Sequence, residues 1–202
     1  MAPVIPDPDR IKAFADGAAF EAWLSRHHDS ETELWLRIYK KGSDTPTVSY
    51  AQALDVALCW GWIDGIKKSY DDASFLQRFS PRKSKSIWSQ INREHVARLV
   101  DAGRMTAHGL KHIDAAKADG RWDAAYASGK TMAVPADLLA AIEADPKALA
   151  TFSSLNKVNR YALAFRIGNL KTPAGRAKKI KTSVEMLARG EMPYPQTKPD
   201  PS

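Results

Sequence analysis

The stretch Trp60–Asn92, WGWIDGIKKSYDDASFLQRFSPRKSKSIWSQIN, constrains the fold of this chain more than any other. Three of the six tryptophans lie in it, Trp60, Trp62 and Trp88, with Lys67, Lys68, Arg78, Arg82, Lys83 and Lys85 set between them. A buried tryptophan removes about 150–250 Å² from water, so the segment must help build a core. That core needs the indoles but not the cations. Trp62–Tyr70 and Ser74–Ser80 read as two strands joined across Asp71-Asp72-Ala73, with Phe75 and Phe79 sharing one face and Leu76 and Arg78 the other. Pro81 is expected to end the second strand.

The same periodicity extends to both sides. Ala18–His27 carries Phe20, Trp23, Leu24 and His27 at helical spacing. Glu33–Lys40 alternates, which predicts a strand whose dry face is Leu34, Leu36 and Ile38. Ser49 and Gln52 have capping-box spacing at the head of a helix over Ser49–Cys59, and Gly61 can close it in the left-handed conformation. Helices dominate afterwards. One is expected over Ser86–Val100, with Trp88 on its apolar face and Glu94 paired to Arg98. Another starts after Thr106. Pro135 and Pro146 each fit a first helical turn, and Asn156–Ile167 and Pro173–Arg189 follow. In the last helix the expected apolar stripe is Ala174, Ala177, Ile180, Val184 and Leu187.

This pattern predicts an α+β fold: a small antiparallel three-stranded sheet with flanking helices and a helical C-terminal half. The expected division is a flexible tail over 1–12, an α+β core over 13–128, a basic helical region over 129–190 packed on that core, and a disordered tail over 191–202. The segment Ala125–Val134, with Gly129, is the expected internal boundary.

Charge and cysteine content narrow the function classes. The net charge of +7 is concentrated: between Pro146 and Val184 there are nine Lys or Arg and no Asp or Glu. A one-sign stretch of this kind favours polyanions or is a solvated helical face. The lone Cys59, between Leu58 and Trp60, excludes an internal disulfide and a multi-thiolate metal site, and its apolar neighbours describe an inert thiol. The N-terminus MAPVIPDPDRIK has no apolar core of a leader, and no apolar run approaches the ~18 residues of a spanning helix. The expected compartment is cytoplasmic, with no membrane span.

The chemistry-bearing residues admit a functional and a structural reading. Trp62, Asp64, Lys67, Arg78, Arg82, Lys85, Ser86, Trp88 and Asn92 form a candidate ligand site at the hairpin and the helix after it. There Arg78 and Arg82 would grip phosphate or carboxylate, Asp64 would orient one of them, and Ser84 and Ser86 would sit at a helix N-terminus. The structural alternative is an ion-pair cluster pinning the hairpin. Arg176, Lys178, Lys179 and Lys181 are the polyanion candidates. His108 and His112 stand four apart on one helix, but a zinc site needs further ligands and no Glu follows His108, so no metal is assigned. His27 and His28 belong to no motif. Asp71 and Asp72 read as turn formers.

The words CWGWIDG (59–65), RFSPRKSKSIWSQIN (78–92) and ADGRWDAAY (118–126) resemble the YdeI/OmpD-associated bacteriocin-protection family. EAWLSRHH (21–28), ELWLRIYKK (33–41), SYAQALDVALCWGW (49–62), LVDAGRMTAHGL (99–110) and VEMLARG (184–190) extend the resemblance. It implies a small soluble bacterial protein tied to survival against membrane-active agents, with no cofactor and no catalytic residue. The resulting expectation is a non-catalytic stress-resistance protein whose partner is an anionic small molecule or an acidic protein. Two alternatives come from other classes: an enzyme on a phosphorylated or acidic small molecule with Asp64 as general base, or a non-specific polyanion-binding module, nucleic acid included, using 147–181.

Overall fold

The computed structural model describes residues 4–127, 132–170 and 172–196. The chain divides into two compact units, Met1–Ala125 and Tyr126–Ser202. Part of the expected boundary segment, 128–131, and the end of the tail, 197–202, lie outside the described residues.

The first unit runs β1 (Ile11–Ala13), α1 (Gly17–His27), β2 (Leu34–Tyr39), α2 (Tyr50–Cys59), β3 (Trp62–Ser69), β4 (Ser74–Pro81), α3 (Gln90–Asp101) and α4 (Ala107–Ala118). The fold is α+β as expected, but the sheet has four strands in the order β1-β2-β4-β3, not three. The additional strand β1 pairs parallel to β2, Ile11 beside Trp35, so the sheet is not wholly antiparallel. Three residues are too few to show alternation, and a single turn of 3-10 helix at Pro8–Arg10 precedes them, inside the proline-bearing stretch expected to be a tail.

The core of this unit follows from register. Leu34 opposes Phe79 and Ile38 opposes Phe75, so these side chains share one face of the sheet. That face packs on Phe20, Trp23 and Leu24 of α1 and on Ala53, Val56 and Ala57 of α2. The expected single dry face of β2 is too few: Trp35 on the opposite face is also 0% exposed, because β2 lies inside the sheet between β1 and β4. β4 ends at Pro81, as expected, with Pro81 itself as its last residue opposite Trp62.

A second cluster joins Leu54, Leu58 and Cys59 of α2 to Val96 and Leu99 of α3, Ile113 and Ala116 of α4, and Trp88. Here the expected helix over Ser86–Val100 is corrected. Trp88 lies in the preceding loop and α3 starts at Gln90, where the Ser89 hydroxyl accepts from the Asn92 N–H. The Arg82 guanidinium lies 3.6 Å over the Trp88 ring, and Trp122 meets Trp88 edge-on at 4.9 Å. Cation–π stacking at a desolvated site contributes about 2 kcal/mol, which stabilises Trp88 in this loop position. Arg98 donates to Asp55 at 2.6 Å, so its salt bridge runs to α2, not to Glu94.

The second unit contains α5 (Ala136–Glu143), α6 (Pro146–Ser153), α7 (Lys157–Gly168) and α8 (Pro173–Ala188). Leu138, Ile142, Phe152, Leu155, Leu163, Ile167 and Leu187 form its core. Asp145 caps α6, with Pro146 in its first turn, whereas Pro135 is the N-cap of α5 and not a first-turn residue. The stripe of α8 is rotated from expectation: Ala174 and Ala177 are exposed, and Ser183 is buried with Leu187. Buried Asn159 ties down the segment after α8, accepting from the Tyr194 N–H and donating to the Tyr194 carbonyl. No helix among the described residues is long and apolar enough to cross a membrane.

Candidate functional site

The C-terminal end of α2 organises a cleft in the first unit. Trp60 caps that helix, and Gly61 turns the chain into β3 with φ +73°. Only glycine fits here for two reasons. The conformation is left-handed, and an added Cβ would come within 2.6 Å of the His112 ring. Helix α4 approaches this turn closely. The Thr106 hydroxyl and N–H both donate to the Cys59 carbonyl, at 2.6 and 3.2 Å, satisfying one of the acceptors left open at the end of α2. A Cβ on Gly109 would lie 2.3 Å from the same carbonyl oxygen, so the crossing requires glycine at that position as well.

This close crossing sets His108 and His112, one helical turn apart, beside Trp60 and Gly61. Helix α1 brings His28 to the same place from 80 positions away. The His28 Nε2 and His108 Nδ1 are 3.1 Å apart, and His28 Nδ1 lies 3.1 Å from the Leu24 carbonyl. A carbonyl only accepts, so His28 donates through Nδ1. In the neutral pair its Nε2 accepts from His108 Nδ1–H, and the lone pair of the dyad resides on His108 Nε2. Trp60 stacks on His108 with ring centres 5.8 Å apart and packs against His28 at 5.0 Å. The Trp60 indole N–H donates to Glu21 at 3.4 Å, which fixes its plane.

The resulting cleft holds about 220 Å³. Its apolar walls are Trp60, Trp62 and Pro81, and its polar lining is His28, Asp29, His108, Lys111 and His112. Burial, and then the charges of Arg82, Lys111 and Arg121, hold the His112 imidazole below the ordinary histidine range. Part of the Arg121 charge is balanced by Asp119 at 2.7 Å. The cleft is thus weakly positive and mostly apolar. No group of three or more His, Cys, Asp or Glu among the described residues is arranged to hold a metal ion.

The nine hairpin residues singled out in the sequence are distributed as follows. Trp62 is 1% exposed and donates to the His28 carbonyl, so it closes the floor of the cleft, while Trp60 is the half-buried wall. Asp64 accepts from the Tyr50 hydroxyl at 2.8 Å. Arg78 donates to Glu33 at 2.7 Å. Arg82 is buried on Trp88 and donates to the Ile87 carbonyl. Lys67 lies over the Phe75 ring, and Lys85 is exposed. The Ser86 hydroxyl accepts from the Lys83 N–H, four residues before α3 begins, so it does not stand at that helix's N-terminus. Of the nine, Trp62 lines the cleft and the charge of Arg82 acts on His112; Asp64, Lys67 and Arg78 belong to other contacts of the sheet. At the hairpin turn, Asp71 accepts from the Ser74 hydroxyl, the Ala73 N–H and Arg37, which hold its carboxyl below the usual range. In the second unit Arg176 makes a two-pronged pair with Asp137 at 2.6 and 2.7 Å, whereas Lys178 and Lys181 are exposed.

Sequence reading missed His28, Trp60 and Lys111 as members of one site. The i,i+4 spacing of His108 and His112 was the available signal, weighed only for metal. Residues 12–112, the stretch that holds the whole cleft, match a family model described as a domain of unknown function (DUF8412). Residues 131–190 match the model described as bacteriocin-protection, YdeI or OmpD-associated, and this match spans all four helices of the second unit. The resemblance to that family is therefore borne out over 131–190, while its words CWGWIDG and RFSPRKSKSIWSQIN fall in the DUF8412 match and ADGRWDAAY lies between the two. No curated protein and no solved structure matches the chain.

Proposed function

From a chain that belongs to the DUF8412 family over residues 12–112 and carries a YdeI/OmpD-associated segment over 131–190, we propose a bacteriocin-protection type of stress-resistance protein that acts by binding. Its ligand is a small anion, captured in the cleft of His28, Trp60, His108, Lys111 and His112. The observation that carries this reading is the convergence of three imidazoles and Lys111 on one indole wall, with Arg82 and Arg121 contributing positive potential behind them. A small apolar cleft with a few convergent polar groups is the usual form of a ligand site. Asp29 is the acidic residue of the lining, so the local charge balance favours an anion.

The test is thermal unfolding of the full chain against benzoate, inorganic phosphate and acetate. The expected result is a concentration-dependent rise in Tm with at least one of them, lost in Lys111→Met. No rise with any of the three overturns the reading. A second reading is favoured by the exposed Lys178 and Lys181: the helical unit contacts a polyanion through α8.

A further inference from the structure

The cleft described above has two properties that together specify more than an anion. Its walls are an indole, a second indole edge and a proline ring, and its volume of about 220 Å³ is below the ~300 Å³ at which drug-sized pockets begin. The occupant that fits is a single planar ring with one charged group. The charged group meets His112, which is half-buried and lies so close to Gly61 that a Cβ added there would come within 2.6 Å of its ring.

Of the cations whose charge acts on His112, Lys111 of the same helix lines the cleft, whereas Arg82 from the loop after β4 and Arg121 from the turn after α4 act from outside its lining. His108 lies one turn back on α4, and His28 and Asp29 face the cleft from the end of α1. Burial first, and then these cations, hold the His112 imidazole below the ordinary histidine range. A carboxylate entering there reverses the balance. It adds one negative charge beside the ring in a partly desolvated place, where an ion pair is stronger than in water.

Resting on the anion-binding reading, we propose that the cleft takes a small aromatic carboxylate and that binding is proton-linked, with one proton taken up at His112 as the carboxylate enters. The proton comes from solvent, and the bound state holds an imidazolium–carboxylate pair. The remaining lone pair of the His28–His108 dyad, on His108 Nε2, is not consumed by this step. Binding weakens as pH rises through the window between the free and the occupied titration midpoints of His112. Within it the loss is tenfold per pH unit, because one proton is bound per ligand.

The experiment is isothermal titration calorimetry of the full chain with benzoate between pH 5 and pH 8. It is run in two buffers of different ionisation heat, which counts the protons taken up. The expected result is a Kd that rises with pH, uptake of up to one proton, and a pH-independent Kd in His112→Asn. Proton NMR of the wild-type imidazoles provides a readout that needs no variant: benzoate raises the titration midpoint of one histidine. A benzoate Kd that is flat with pH, or an unchanged pH profile in a folded His112→Asn, overturns the proton linkage and leaves anion binding standing. If benzoate does not bind but acetate or phosphate does, the aromatic class is wrong. If none of the three binds, the anion-binding reading falls as well.

Discussion

A single buried thiol shows how strongly one residue's surroundings fix its chemistry. Cys59 is fully buried, and burial is the main cause that pushes its thiol up to about 11. Only the thiolate is a nucleophile, so at pH 8 the native protein should resist iodoacetamide and label once unfolded in urea. Rapid labelling of the folded chain would show that this end of α2 opens. The inert thiol was legible from its neighbours Leu58 and Trp60. The contacts of the two adjacent indoles were not. Trp60 and Trp62 have the same local context, but one is half-buried against His108 and the other sealed against Trp23. That choice is made by α1 and α4, which sequence spacing does not locate. His28 and His108 likewise lie 80 positions apart, and nothing short of the folded crossing joins them.

At the level of elements, the crossing of α4 over the end of α2 is the joint on which the cleft depends. Substituting Gly109 with Ala would favour an isolated helix by roughly 1 kcal/mol. In the folded protein the new Cβ would sit 2.3 Å from the Cys59 carbonyl, a backbone atom that cannot rotate away. Overpacking of this kind costs about 1–3 kcal/mol, and a backbone clash lies at the upper end, so packing outweighs propensity. Gly109→Ala should therefore lower the urea midpoint and, by moving His108, abolish the benzoate shift. An unchanged or higher midpoint would mean that the two helices are not held this closely. Several of the elements themselves were readable, because their start signals are local. Ser49 with Gln52, and Thr106, cap the helices that they were expected to start. The start of α3 was not, since Ser84, Ser86 and Ser89 are equivalent as sequence signals. The helix starts at the last of them, with Trp88 stacked under Arg82 just before the cap. Strand β1 was missed because its signal is the parallel partner β2, not its own three residues.

Across the whole molecule, charge and chemistry are divided between the two family matches. The cleft lies within the DUF8412 stretch, whereas the acid-free basic run from Pro146 to Val184 lies within the YdeI/OmpD-associated stretch. The structure narrows what that run can contact. Arg176 is committed to Asp137, leaving Lys178 and Lys181, with the half-buried Lys179 between them, as the available cations of α8. Binding of a nucleic acid through them would be electrostatic and without sequence readout. Each phosphate neutralised contributes about −0.9 to the slope of log K against log salt, so three lysines predict a slope near −3 and no more. Fluorescence anisotropy with a labelled DNA duplex between about 20 and 200 mM salt measures it. At a slope of that size, affinity should fall by roughly a thousandfold for each tenfold rise in salt. Lys178→Glu with Lys181→Glu should flatten the slope and leave the benzoate response of the cleft unchanged, because none of the cleft's lining residues is altered. Absence of binding at about 20 mM salt would leave the charge of α8 as a solvated face. A slope much steeper than −3 would place the contact on more of the chain than this helix.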